Sequence, residues 1–192
     1  MDVSTPTGVL VTAVVGYLLG SIPTADLVTH RRSAVDLRDV GDHNPGYWNA
    51  KATLGRRAAL PIFVGDVAKG ALAALVGVAL APPGVWGMAY VGAGAAMVGH
   101  AWPLFAHFRG GRSVLTFVGG AIVFAPAPAF VAIATLLAVL AITRSFARAA
   151  QVGIVALPIA QLVIEGPYRT AATGVLMTFI GFRFLTARSI EA

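Results

Sequence analysis

Long apolar runs alternate with short polar breaks along this chain, in the rhythm that bilayer-crossing helices impose. Seven runs stand out, at 8–29, 59–80, 85–106, 114–127, 129–143, 150–164 and 170–186. A bilayer core is crossed by about 20 apolar helical residues, so each run is a candidate span. The breaks carry turn or charge signals: Ala81-Pro-Pro-Gly84, Phe108-Arg-Gly-Gly-Arg112, Ala125-Pro-Ala-Pro128, Arg144 to Arg148, and Glu165-Gly-Pro-Tyr-Arg169. The stretch 114–143 is short for two crossings, yet basic clusters flank both of its ends. Two short helices meeting at Ala125-Pro-Ala-Pro128 satisfy that constraint, because packing and local thinning accommodate short spans.

The side on which each break lies follows from charge. With the N-terminus outside, the inner segments hold Arg31, Arg32, Arg38, Lys51, Arg56, Arg57, Arg109, Arg112, Arg144, Arg148, Arg183 and Arg188, and the outer ones only Arg169. Lys69 falls within a span. This is the positive-inside asymmetry, and it predicts a cytoplasmic C-terminus. Composition fits the same picture. The 192 residues are 57% hydrophobic and 11% charged, with a mean hydropathy of +0.80. A soluble domain of this size needs more polar residues to cover its surface. The expectation is an all-α integral membrane protein, one polytopic domain over 1–192, that meets lipid and no nucleic acid. There is no cysteine, which excludes disulfides and thiolate metal sites, and the four histidines are scattered; no metal and no cofactor is expected. Met1 to Pro6 has no basic stretch, so the first run reads as a retained span and not a cleaved signal peptide.

A few polar residues do not belong in lipid, and these carry the candidate chemistry. Asp66 and Lys69 are three residues apart inside the second run, on one helix face and close enough to pair. Intramembrane charges face the protein interior, so the two form either a structural ion pair or a cation offered to an anionic substrate and oriented by its carboxylate. Gly20-Ser-Ile-Pro-Thr24 interrupts the first run, because Pro23 removes a backbone donor. Ser21 then either faces a polar cavity or bonds its own backbone. The inner loop 36–49 contains Gly41, Asn44, Pro45 and Gly46, which demand tight turns. Arg38 and Lys51 flank it, while Asp36, Asp39 and Asp42 offset their field. Between Gly99 and Thr116, Gly110 and Gly111 let backbone approach a ligand. Arg112 adds a fixed cation with paired donors, the helix that follows offers N–H groups suited to phosphate, and His100 is placed to take a proton from a hydroxyl. All these stretches fall at or near the inner face.

In this order and spacing the pieces resemble a known family. Gly20-Ser-Ile-Pro23, Asp36-Leu-Arg38, Gly41-x-x-Asn44-x-Gly46-x-x-Asn49, Asp66-x-x-Lys69-Gly70 and Gly99-His100-x-x-Pro103-x-Phe105-x-x-Phe108-x-Gly110-Gly111 resemble the bacterial PlsY family of acyl-phosphate:glycerol-3-phosphate acyltransferases. The resemblance covers about residues 16–120. It implies seven helices in a bacterial plasma membrane, an outside N-terminus and an active face in the cytoplasm. It also implies a reaction in which an acyl phosphate gives its acyl group to a hydroxyl of glycerol 3-phosphate, producing lysophosphatidic acid and phosphate. In such a site His100, Lys69 and Ser21 would be catalytic. Arg38, Gly41, Asn44, Gly46, Asn49, Gly110, Gly111 and Arg112 would hold or frame phosphate, and Asp66 would pair with Lys69. The chain departs from the family's pattern at several points. Gly41-Asp-His-Asn44 stands where the family has Gly-Ser-Gly-Asn, Tyr47-Trp48-Asn49 replaces Ala-Thr-Asn, and Gly110-Gly-Arg-Ser113 replaces Gly-Gly-Lys-Gly. Of a C-terminal Arg-His pair followed by Asn, only Arg183 is matched. These departures motivate a second reading, a lipid-binding or scaffold relative that has lost catalysis or changed acceptor. A small transporter is a third, since broken helices and buried charge also mark transport sites.

Overall fold

The computed structural model describes residues 6–32 and 35–188, and all its elements are helical. They are α1 (Pro6–Gly20), α2 (Thr24–Arg32), α3 (Tyr47–Leu54), α4 (Arg56–Leu80), α5 (Gly87–Ala101), a 3-10 turn (Leu104–Ala106), α6 (Val114–Phe124), α7 (Pro126–Thr143), α8 (Phe146–Glu165) and α9 (Pro167–Arg188). Among the described residues, four segments are long and apolar enough to cross a membrane: Pro6–Thr29, Arg56–Leu80, Pro126–Thr143 and Phe146–Glu165. The helix Val114–Phe124 is apolar but shorter. The expectation about Met1 to Thr5 lies outside the described residues, as do the side chains of Arg31, Arg32 and Arg188.

Several boundaries differ from the apolar runs, each for a local reason. The first run breaks at Ser21–Pro23 into α1 and α2, because Pro23 cannot continue the hydrogen-bond ladder. The run 85–106 ends as a helix at Ala101, ahead of Pro103, since the residue before a proline avoids helical backbone. The basic loop 30–58 contains a helix, α3, which the turn-rich residues before it concealed.

The core is unusually lean. α4 and α5 lie side by side; α1 packs on both, and α6 packs on α4 and α5. The α7–α8 hairpin and α9 close the other flank. Fully buried residues are mostly Ala, among them Ala59, Ala73, Ala74, Ala93 and Ala96, so helices approach through small side chains and not through interlocked large ones. Gly70 is among the tightest cases: a β-carbon there would run into the Thr116 carbonyl of α6. Large apolar side chains point outward instead, with Ile142, Val163 and Phe130 more than 70% exposed. This inside-out pattern suits a lipid surround. At the end of the bundle far from the basic loops, Gln161 Nε2 donates to Tyr90 Oη (2.8 Å) and Glu165 Oε2 (2.8 Å), and Arg169 bonds the Phe124 carbonyl. This network joins α5, α6, α8 and α9.

Gly70→Ala should cost about 1–3 kcal/mol, the usual range for overpacking a tight contact. Gly174→Ala, where nothing lies within 4 Å of the added carbon, should melt like the wild type. Thermal unfolding of both variants in one detergent checks this, and equal melting temperatures would refute it.

Candidate active site

The break between α1 and α2 forms the first wall of a narrow cleft lined by Ile22, Pro23, Thr24, Lys69, His100 and Gly111, with Arg38, Pro45 and Gly110 at its mouth. Behind it sits Asp66, only 2% exposed. Its Oδ1 accepts from Thr24 Oγ1 at 2.6 Å and lies 2.9 Å from Lys69 Nζ and 3.5 Å from His100 Nδ1. Three helices, α2, α4 and α5, thus converge on one carboxylate oxygen. Lys69 Nζ also donates to the Ile22 carbonyl at 3.3 Å. An ammonium has three N–H groups, so one remains for the cleft. The Asp66 contact at His100 Nδ1 favours the tautomer with its proton there, leaving Nε2 as acceptor. Nε2 faces the Gly110–Gly111 turn so closely that a β-carbon on Gly111 would lie 2.5 Å from it.

That turn does not offer its N–H groups to a ligand, contrary to the expectation from its glycines. Gly110 N donates to the Ala101 carbonyl at 3.2 Å and Gly111 N to that of His100 at 3.0 Å. The reason is the end of α5, whose last carbonyls have no helical partner; the turn caps them. Arg183 reinforces this from α9, donating to the carbonyls of Gly111 (3.3 Å) and Ala101 (3.4 Å) while its guanidinium lies 4.8 Å from the Trp102 ring. Gly110 and Gly111 therefore shape the cleft.

The loop 36–46 closes the mouth. Arg38 reaches Asp26 with Nη1 (2.8 Å) and Nη2 (3.0 Å), Asp36 with Nη1 (3.0 Å), and the Arg109 carbonyl with Nε (2.8 Å). Four of its five N–H groups are engaged; one is left at Nη2. Burial pulls the Arg38 pKa down, but Asp26 and Asp36 outweigh it and the net shift is upward. For Asp36 burial acts to raise the pKa, and the Arg38 hydrogen bonds and charge, with Arg109, bring it below the ordinary value. Asn49 is a staple of the loop and does not line the cleft: its Nδ2 donates to the Leu37 and Val40 carbonyls, both at 2.8 Å. Gly41, at φ +65°, passes against the Asn49 amide, where no side chain fits. Gly46 leaves room for the Asn44 amide, whose Oδ1 lies near Gly111. Ser21 is buried beside the site with a hydroxyl that has no hydrogen-bond partner.

The unusual residues have structural answers. Asp42 turns away from the cleft and pairs with Arg112 at 2.7 Å. His43 (φ +55°) and Ser113 (φ +64°) adopt left-handed backbone, which costs a non-glycine residue about 1–2 kcal/mol. Each bonds backbone in return: His43 Nδ1 is 2.9 Å from the Arg38 carbonyl, and Ser113 Oγ donates to that of Met97 at 2.7 Å. Phe184 lies under the Arg112 guanidinium, 4.8 Å from its carbon. Sequence reasoning missed Thr24 and Asp26. The one available signal was an acidic residue, Asp26, inside a predicted span.

The chain resembles known proteins in both sequence and fold. A family model described as glycerol-3-phosphate acyltransferase matches residues 10–189. Glycerol-3-phosphate acyltransferase 5 of Dehalococcoides mccartyi is 35% identical over 176 residues, covering 89% of this chain and 74% of that protein. Among solved structures, PlsY, an integral membrane glycerol 3-phosphate acyltransferase, matches in its glycerol 3-phosphate form with a TM-score of 0.81 and 26% identity, over 95% of this chain and 90% of that one. Its lysophosphatidic acid form matches with a TM-score of 0.77 and 25% identity, over 92% and 87% of the two chains.

Ser113→Gly should leave stability within about 1 kcal/mol of wild type, because relief of the left-handed backbone offsets one lost hydrogen bond. Ser113→Ala keeps the strain without the bond and should melt lowest of the three. Thermal unfolding that ranks the Gly variant below the Ala variant would contradict this account.

Proposed function

Because this chain belongs to the glycerol-3-phosphate acyltransferase family, we propose that the cleft at Lys69 and His100 is where it, as a multi-pass membrane enzyme, moves a fatty acyl group onto glycerol 3-phosphate. The donor in this reading is an acyl phosphate, and the products are lysophosphatidic acid and inorganic phosphate. The observation that carries it is the convergence of Lys69, His100, Arg38 and the Gly110–Gly111 turn on one cleft, with Asp66 behind them.

Each group has a task that its geometry supports. The unfilled N–H of Lys69 and the one left on Arg38 hold substrate phosphate oxygens, with the Asn44 amide beside them. The acceptor hydroxyl lies against His100 Nε2, which takes its proton as the oxygen attacks the acyl carbon; phosphate departs as the carbon–oxygen bond to it breaks. Asp66 fixes the imidazole and supports its charge, as the orienting carboxylate of a base does. Ser21 supplies its unpartnered hydroxyl to a neighbouring oxygen when substrate is bound. Gly41, Gly46, Asn49, Gly110 and Gly111 set the shape of the cleft. The rate then comes largely from positioning and fixed charge.

In the same reading the 1–192 chain is one domain with seven crossings, its N-terminus outside and the cleft open to the cytoplasm of a bacterial cell. Contacts between the basic segments support one common face: Arg38 bonds the Arg109 carbonyl, Arg112 pairs with Asp42, and Trp48 of α3 packs on Phe146 of α8 with ring centroids 4.4 Å apart. Pairing of Asp42 with Arg112 removes the carboxylate that motivated an inactive relative.

Lys69→Ala and Arg38→Ala should each lower turnover about a hundredfold or more, the usual loss when a charge-stabilising donor is removed, while the protein stays monodisperse. Phosphate release from acyl phosphate with glycerol 3-phosphate measures it. Wild-type rates in both variants would remove these side chains from the site, and no release from acyl phosphate by the native protein would remove the donor.

A further inference from the structure

We infer that the groove between α7 and α8 binds an anionic glycerophospholipid of the surrounding membrane, with an acyl chain along α8 and the phosphate at Arg148. The groove shares no residue with the cleft at Lys69 and His100, so this does not depend on the acyl-transfer chemistry. Val131 of α7 and Gln151, Val152, Val155, Ile159 and Ala160 of α8 line it. Val152, Val155 and Ile159 are 41%, 56% and 58% exposed, so the rest of the protein leaves this surface open to the surround. At a helical rise of 1.5 Å, Gln151 to Ala160 runs about 14 Å. That is close to half of a hydrocarbon core ~30 Å thick, the depth reached by an acyl chain of one leaflet.

Charge at its end sets this groove apart from ordinary lipid-facing surface. Arg148, Val152, Val155 and Ile159 stand at i, i+4, i+7 and i+11 of α8, on one side of the helix. Helical side chains lean toward the N-terminus, so the Arg148 guanidinium extends from the apolar stripe toward the level of lipid phosphates, as long basic side chains do at interfaces. The other side of α8 is already covered, because Phe146, about half a turn away, packs on Trp48 with ring centroids 4.4 Å apart. Arg144, in the link before α8, adds a second cation. Both arginines are exposed and form no ion pair among the described residues. Around the cleft, by contrast, Arg38, Arg112 and Lys69 are all countered by carboxylates. Two uncountered cations beside an apolar channel complement an amphiphile with a negative head. A zwitterionic head brings its own cation and fits less well. A second copy of this chain, packed on the same stripe about a two-fold axis, would set Arg148 against Arg148.

The test is native mass spectrometry of the full chain in detergent, titrated with phosphatidylglycerol or with phosphatidylcholine carrying the same acyl chains. The native protein should retain phosphatidylglycerol about tenfold more tightly than phosphatidylcholine. Arg148→Gln should cut that preference about fivefold, the effect of one basic residue near an anionic surface, and Arg144→Gln combined with Arg148→Gln should abolish it. Val155→Asn, which places an amide in the groove, should weaken both lipids alike. Arg57→Gln removes an exposed cation of α4 and should leave the preference unchanged. Equal losses in Arg57→Gln and Arg148→Gln would mean that the charge of the whole face attracts the lipid, and the groove site is then wrong. No preference in the native protein, or one that survives loss of both arginines, overturns it equally. A lipid-free dimer that Val155→Asn dissociates would give the groove to a second copy instead.

Discussion

A carboxylate buried in an apolar helix must be matched by donors or it will not stay ionised, and Asp66 is the group around which this molecule is arranged. Thr24 reaches it from α2, Lys69 from its own helix and His100 from α5. Removing any one partner leaves charge or polarity unmatched in a low-dielectric setting, where breaking a buried pair is strongly destabilising. The break at Ser21–Pro23 follows from the same requirement. An unbroken helix from Pro6 to Arg32 would keep the Ile22 carbonyl in its own ladder, whereas the break lets it accept Lys69. The helical core around this centre is built from Ala and Gly contacts, which permit close approach but supply little interlocking. Polar convergence at Asp66 therefore gives the α2–α4–α5 contact its specificity.

The parts of this arrangement that depend on helical periodicity were legible in the sequence. Asp66 and Lys69 share a face because they are three residues apart, and they do pair. Pro23 announces the break in the first run, and the apolar runs give the helices to within a few residues. What escaped depends on loop conformation, which spacing does not encode. Nothing in Asp36-Leu-Arg38 says that Arg38 turns back to Asp26, a residue twelve positions earlier in a different element. The family resemblance implied a phosphate role for Asn49, but α3, itself unforeseen, presents it to the carbonyls of Leu37 and Val40. Gly110 and Gly111 were read as letting backbone approach a ligand. What their N–H groups approach is the end of α5, which they cap, and that end was placed five residues too late.

The positions that depart from the family pattern are coupled through space. Asp42, Arg112 and Phe184 lie in three separate stretches of sequence, yet they form a single stacked and paired unit. His43 and Ser113 each hold left-handed backbone with a side-chain bond to a carbonyl. Taken singly, an acidic residue in a phosphate loop and bulky residues at glycine positions each argue against function. In the structure each has a partner, and sequence alone does not reveal such partners because they lie in other stretches of the chain.

Charge balance at the cleft has a consequence for how an anion is held there. Lys69 is paired with Asp66, Arg38 with Asp26 and Asp36, and Arg112 with Asp42. Pairing reduces the pull of these three cations on phosphate at a distance, while Arg183, which bonds carbonyls, carries a charge that no carboxylate among the described residues pairs. Directional donors left over after pairing then matter more, among them the third N–H of Lys69, the remaining N–H of Arg38 and the buried, unpartnered Nε of Arg112. Such donors act only over hydrogen-bond range and only if rigidly placed. Rigidity is what the carboxylates provide: each one fixes a cation's orientation at the expense of its field. A glycerol-3-phosphate acyltransferase, which must release an anionic product after every turnover, gains from this trade, because oriented donors distinguish a correctly seated phosphate without holding every anion that drifts near.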